Sequence, residues 1–295
     1  MTLQHLALVS QTDKVPPEAV GAVAAALQVQ ILRDFTPAWG ISATVDAFAT
    51  IEQVPVTYYP MIVTEDLPVD AAGIHLDRDY TPFALIEASN RWTLTASHEA
   101  LEMLADPFGT RLQAAESVKV EQGHVEYLVE VCDPSEAVPF SYLVNGVVVS
   151  DFYLPSFFDP VPNTRVPYSF TGGISRPRQV LKGGYLSWRD PSTRHWWQQR
   201  WFGTPAPTFH DLGVITGAGG SPRRWLDQQV MLARPDAVTG AAEGTEDFDL
   251  LVAAYVLARR DGNGASARAE RLRDEVEDLR SQLAPVGSSP YGTAG

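Results

Sequence analysis

The sequence predicts an α+β fold: a mixed sheet with a long helix and a second, motif-bearing helix in the first half, an irregular β- and loop-rich second half, and helices at the C-terminus. Three observations lead there. Strand-like apolar runs alternate with helical periodicity over residues 3–105, Pro, Gly and aromatic residues crowd the stretch 108–212, and helical periodicity returns from Thr245 onward. The chain then divides into residues 1–240 as one domain with its β- and loop-rich extension, 241–262 as a helix packed on it, and 263–295 as a charged helix with a flexible tail.

Taken in order, residues 3–9 form a short apolar strand, and Pro16-Pro17-Glu18 opens a helix that carries Val20, Val23, Leu27 and Ile31 on one face and stops before Pro37. Runs 42–49 and 58–64, rich in β-branched and aromatic residues, read as strands, and after Gly73-Ile74-His75 the run 82–88 supplies a short edge strand. Trp92, Leu94, Leu101 and Leu104 give residues 92–105 a helical stripe. That helix ends at Asp106-Pro107, because a proline disfavours helical backbone at the residue before it. Further strand-like pieces lie at 125–131, 140–152 and 184–188. Phe248, Leu251, Val252, Tyr255 and Val256 share a helical face that ends near Gly262, and Leu272, Val276, Leu279 and Leu283 follow at alternating spacings of four and three. This last segment reads as a solvated surface helix or as a short heptad element for self-association.

Composition narrows the function classes. With 45% hydrophobic and 20% charged residues over 295 positions, the chain can bury an ordinary globular core. Its one cysteine, Cys132, excludes a disulfide framework and a thiolate-rich zinc knuckle, and reads as a small buried hydrophobe. A formal net charge of −14 opposes phosphate backbones, so nucleic acid is not an expected partner. No run approaches the ~20 apolar residues of a bilayer span, and the first residues lack a signal-peptide pattern. The expectation is a cytoplasmic protein with no membrane partner.

The chemistry is concentrated in His98-Glu99-Ala100-Leu101-Glu102. His98 and Glu102, four residues apart on a helix, lie on one face and can point at one ion, with Glu99 beside them as a potential general base. A divalent ion lowers the pKa of a water it binds and polarises a carbonyl, while a neighbouring carboxylate takes the proton. The order strand, long helix, strand, strand, edge strand and motif helix resembles a minimal zincin domain, with a carboxylate in place of the second histidine of HExxH. In zincins the edge strand lines the cleft and pairs with extended substrate, so the resemblance implies a peptide or protein substrate.

Read onward, Ser97 to Pro107, then Glu130-Val131-Cys132-Asp133-Pro134-Ser135-Glu136, then Asn145-Gly146 and Phe152 to Phe158 resemble zincin-like proteins related to the plant EXORDIUM (phosphate-induced) family. That pattern has HExxE with a small run ending in Asn-Pro or Asp-Pro, an acidic EIGDxC segment, and an Asn-Gly turn before an aromatic strand. Here Cys132 precedes Asp133, where the pattern has its cysteine after the aspartate. The resemblance implies a metal shell completed from the acidic segment: by Asp133, whose place before Pro134 suits a short rigid ligand, or by Glu130, with Glu136 as the third candidate.

These readings point to a zincin-like metal-dependent peptidase or amide hydrolase, with zinc, or manganese or calcium as harder ions, at the centre. The alternative is a zincin-fold structural or interaction protein without turnover, a component or cargo of a larger assembly joined through the C-terminal helix. His5, His75, His124, His195 and His210 read as surface or satisfied core histidines, and His75 stands closest to the cleft-side strand. Trp188, Trp196, Trp197, Trp201 and Phe202 read as core, with a binding platform as the other option.

Overall fold

The computed structural model of the chain describes residues 3–65, 67, 72–78, 81–216 and 221–231, so the helices expected at 245–262 and 265–283, and the units placed at 241–262 and 263–295, lie outside the described residues. What it describes is a mixed α/β architecture with three sheets.

Strand β1 (Gln4–Ser10) has parallel neighbours on both sides: β2 (Ala43–Phe48), reached through helix α1 (Pro17–Val29), and β3 (Tyr59–Thr64). Strands β4 (Gly73–Arg78) and β5 (Thr81–Glu87) complete the sheet in the order β2-β1-β3-β5-β4, with β5 parallel to β3 and β4 antiparallel at the edge. A strand covered on both faces is apolar almost throughout. In β1, Leu6 and Leu8 face α1 and the main core, while Ala7 and Val9 face a second layer with Ile62, Ile74, Leu76, Phe83 and Leu85.

The edge-strand expectation for 82–88 is therefore corrected. That run is an interior strand, and the edge is Gly73–Arg78, which places His75 within the edge strand. The physical reason lies in the two patterns: Phe83-Ala84-Leu85-Ile86 is a continuous apolar run that needs cover on both sides, whereas β4 mixes Gly73, His75 and Asp77 into its apolar positions.

The helix expected to stop before Pro37 runs on instead. After α1 comes a π-helical turn, Gln30–Phe35, and then a short helix α2 (Thr36–Trp39) that ends at Gly40 in the left-handed region, φ 67°. Pro37 falls in the first turn of α2, where a missing N–H is tolerated.

Motif helix α3 (Trp92–Ala105) follows β5 and has the bounds its apolar stripe suggested. In the second half, β6 (Leu112–Glu116), β7 (His124–Leu128), β10 (Tyr185–Arg189), β11 (Trp196–Arg200) and β12 (Thr208–Gly213) form an antiparallel sheet ordered β12-β11-β10-β7-β6. Between them, β8 (Tyr142–Val144) and β9 (Val147–Val149) make a hairpin over Asn145-Gly146, both with positive φ, as a primed two-residue turn requires. Helix α4 (Pro222–Met231) closes the described chain.

Leu6 and Leu8 of the first sheet and Tyr127, Leu186 and Trp188 of the second belong to one continuous buried cluster, so the two sheets share a core. Trp188 and Trp196 are buried and Trp197 and Trp201 pack against the main cluster, so the tryptophans are largely core. Among the described residues, no helix is long and apolar enough to cross a membrane.

A buried polar network fixes α3 against the π turn. Ser97 Oγ donates to Gln30 Oε1 at 2.8 Å and accepts the Ser150 N–H at 2.9 Å, while Gln30 Nε2 donates to the Ser150 carbonyl at 3.0 Å. Ser97→Ala leaves two buried partners unsatisfied, and we expect it to lower unfolding free energy by about 2–4 kcal/mol in a denaturant titration.

Candidate metal centre

Three chain segments converge on α3. The helix itself supplies His98, Glu99 and Glu102 from a nearly fully buried stretch, so their directions are fixed by packing rather than by side-chain freedom. The turn after β7 supplies Asp133: a tight helical turn, Asp133–Ser135, is pinned by the Leu181 N–H to the Pro134 carbonyl at 2.8 Å. Glu102 ties the two together, because its Oε1 accepts the Cys132 N–H at 3.0 Å. Gly184 backs the turn at such close range that a Cβ there would stand 2.5 Å from the Asp133 carbonyl oxygen and 2.6 Å from that of Pro134.

His98 Nε2 lies 3.2 Å from Glu102 Oε2 and 3.3 Å from Asp133 Oδ1. One ring N–H points in one direction, and charge-assisted bonds to carboxylates run at about 2.7–2.9 Å, so two hydrogen bonds do not account for this pair of contacts. Donors about 2.0–2.2 Å from a tetrahedral ion stand about 3.3–3.6 Å from one another. The observed separations suit that arrangement. Among the described residues, Asp133 Oδ2 and Glu130 Oε1 are buried without hydrogen-bond partners, and a cation would satisfy such lone pairs. Glu102, Glu130 and Asp133 form one group of donor atoms within 4.8 Å of one another, and His98, Glu102 and Cys132 form another. The residues present therefore could hold a divalent cation.

Glu99 faces the same cleft, and its Oε2 is 3.0 Å from Nδ1 of His75. The proton in that contact can be located. Arg223, which has only donors, also meets His75 Nδ1, so this nitrogen carries the lone pair while Nε2–H points to the Asp106 carbonyl at 3.4 Å. Glu99 must then bring the proton. Consistently, burial pushes the Glu99 carboxyl up to about 8, and burial together with the Arg223 charge holds His75 well below the imidazole range.

Arg223 is the residue that sequence reasoning missed. Its guanidinium is buried, donates to Glu102 Oε2 at 3.0 Å and pairs with Glu130. Glu130 thus turns to an arginine, and of the three acidic candidates it is Asp133 that meets His98; Glu136 lies farther out on the cleft wall. The charges balance locally. Burial works against ionising Glu102, but His98 and Arg223 outweigh it and keep its pKa below the ordinary carboxylate range. For Asp133 the same burial, with repulsion from Glu102, wins and raises the pKa well above that range. Burial also pulls His98 down, yet Glu102 and Asp133 hold it well above the imidazole value, so an ion binding there displaces a proton. Cys132 is fully buried, and burial keeps its thiol protonated.

A cavity of about 490 Å³ opens over these groups, walled by Gly73, Arg91, Pro139, Tyr185 and Asp227. Helix α4, source of Arg223 and Asp227, had a legible signature: Ser221 caps it, accepting the Arg224 N–H at 3.4 Å, Pro222 opens it, and Leu226 and Val230 are spaced by one turn. His5, His195 and His210 find partners in Thr44, Asp211 and Thr208, and His124 is exposed.

No protein-family model matches the chain, and neither a curated protein nor a solved structure matches it.

Gly184→Ala tests the support of the third donor. The added methyl collides with backbone, so the Asp133 turn must shift while α3 stays in place. We expect divalent-metal affinity, measured by competition with a chromogenic chelator, to fall by about 10–100-fold, the usual effect of disturbing the groups that orient a ligand.

Proposed function

We propose that the chain is a zincin-like metal-dependent hydrolase, a peptidase or amide hydrolase, whose ion is held by His98, Glu102 and Asp133 and whose general base is Glu99. One observation carries this reading: an imidazole and two carboxylates converge at separations suited to a single ion, and a glutamate next to the histidine on the same helix faces the same cleft. The order strand, helix, strand, strand, edge strand and motif helix supports it, with one interior strand, β5, added between edge and motif helix. One imidazole with two carboxylates suits zinc, and manganese or calcium is the oxygen-preferring alternative.

A divalent cation at this centre would polarise a substrate carbonyl and acidify water. The chain's own residues do the rest. Glu99 takes the proton, and a nearby cation favours its ionised form against the burial that raises its pKa. His75 Nδ1, 3.0 Å from Glu99 Oε2, holds the carboxyl in place while Glu99 carries its proton. Among the described residues, edge strand β4 has pairing on one side only, and Gly73 at its start lies on the cleft wall, where an extended peptide could add as a further strand.

A second reading keeps the fold without turnover, as an interaction protein or an assembly component. The Arg223 pair on Glu102 favours it, because a guanidinium already satisfies one of the donor oxygens.

Metal analysis and peptide-library cleavage on wild type, His98→Ala and Glu99→Gln decide between them. We expect about one divalent ion per wild-type chain, lost in His98→Ala, because two ligands on adjacent helical turns and one on a pinned turn form a preorganised site. Glu99→Gln should keep the ion and lose about 10²–10⁴-fold in turnover. Turnover that survives Gln removes Glu99 as the base, and a metal-loaded wild type inactive on every peptide supports the interaction protein.

A further inference from the structure

Three groups of candidate metal donors are found among the described residues, and Glu102 belongs to all of them: with His98 and Cys132, with Glu130 and Asp133, and with His75 and Glu99. The last group shares Glu102 with the donors of the proposed ion. His75, Glu99 and Glu102 are each more than nine-tenths buried, and their donor atoms fall within 4.8 Å of one another. A set of this kind, joined to the first by a shared carboxylate, is what a second divalent ion would need.

Arg223 already stands there. Its guanidinium meets His75 Nδ1 with one nitrogen, and Glu102 Oε2 and Glu130 with another. We infer that Arg223 is the built-in second cation of the centre: its guanidinium holds the position a second metal ion would take among His75, Glu102 and Glu130, and so limits the site to one exchangeable ion. This rests on the metal-centre reading given above.

Charge and shape both support the assignment. Glu99, Glu102, Glu130 and Asp133 place four buried carboxyl groups around the centre. A guanidinium is planar, always charged and carries donors only, so it can face an imidazole lone pair and two carboxylates at once without needing a proton from any of them. It is also tethered. The Arg223 N–H bonds the Gly109 carbonyl at 3.3 Å, and Leu226 one turn on packs with Leu128 and Trp196 of the second sheet. Glu102 Oε2 is consequently shared between His98 at 3.2 Å and Arg223 at 3.0 Å, as a carboxylate oxygen between two cations would be.

The test is metal stoichiometry in the full chain, stripped with chelator, titrated with zinc or with manganese, desalted and analysed for metal and protein. Wild type and Arg223→Lys should hold about one ion and Arg223→Ala about two, the second bound by the donors that the arginine leaves. Melting curves run alongside: Arg223→Ala should be unstable without metal and gain more from added metal than wild type does. If Arg223→Ala is unfolded when stripped, added metal should refold it, and failure to refold overturns the inference. One ion in Arg223→Ala also overturns it, and one ion bound more tightly than in wild type would instead make the arginine a competitor of the first ion. A wild type that binds no ion ends the metal-centre reading itself, whatever the variant does.

Discussion

Glu102 is the point on which the rest of the centre depends. Both of its oxygens are engaged: Oε1 by the Cys132 N–H, Oε2 by His98 and Arg223. A carboxylate buried to this depth is strongly unfavourable unless it is paired and hydrogen-bonded. Each element that meets here does one part of that compensation. Helix α3 provides the imidazole one turn away, the turn after β7 provides a backbone donor, and α4 provides the guanidinium. If α4 were displaced, Glu102 would lose a cation and Glu130 its partner, so the position of α4 is tied to the charge of the cleft as much as to its small apolar contact with the second sheet.

The same dependence explains why two sheets of different character share a single core. The first sheet, mostly parallel, carries α3 on one face and offers β4 as a wall of the cleft. The second, antiparallel, carries the strand that leads to Asp133 and the glycine that allows the turn to sit against it. Packing density makes this joint rigid, since Trp188, Tyr127 and Leu186 fill the space that the first sheet alone would leave open. Donor positions set by a rigid joint need little reorganisation on binding an ion, which is the physical content of a preorganised site.

Much of this was legible in the sequence, and the part that was not has a common cause. Helix α3 was readable to its ends because periodicity and the Asp106-Pro107 stop are local signals, and His98, Glu99 and Glu102 follow from spacing along it. The Asn145-Gly146 turn also carries a local signal, since both residues take positive φ, yet 140–152 read as one strand-like run where the structure has a hairpin. Which strand lies at the sheet edge is a question of pairing between distant segments, and there 82–88 was misplaced although its existence as a strand was plain. Arg223 is further still from local reasoning. Nothing within its own helix requires that it face inward, and its role is set by His75, Glu102 and Glu130 from three other segments. His75 could be noticed for its nearness to the cleft, but its service as a neutral acceptor depends on that arginine.

The composition of the cleft also bears on what the fold is for. Buried ion pairs contribute little net stability compared with apolar residues of similar volume, and breaking one partner away is costly. A scaffold with nothing to bind would be as stable, or more so, with leucine and methionine in place of His98, Glu102, Glu130 and Arg223. Instead the centre keeps lone pairs of Asp133 and Glu130 without partners in the interior, a cost that hydrogen bonding among the described residues does not relieve. Raised pKa values at Glu99 and Asp133 lessen the charge but leave those atoms unmet. A cation is the simplest partner that would meet them, because it binds lone pairs without needing further room for its own donors, and it would turn the least stable part of the interior into a bound centre. Unmet buried atoms also occur at Asp151, Tyr153 and Trp197, but in the cleft around α3 they coincide with convergent donor groups, and that is where a function is to be sought.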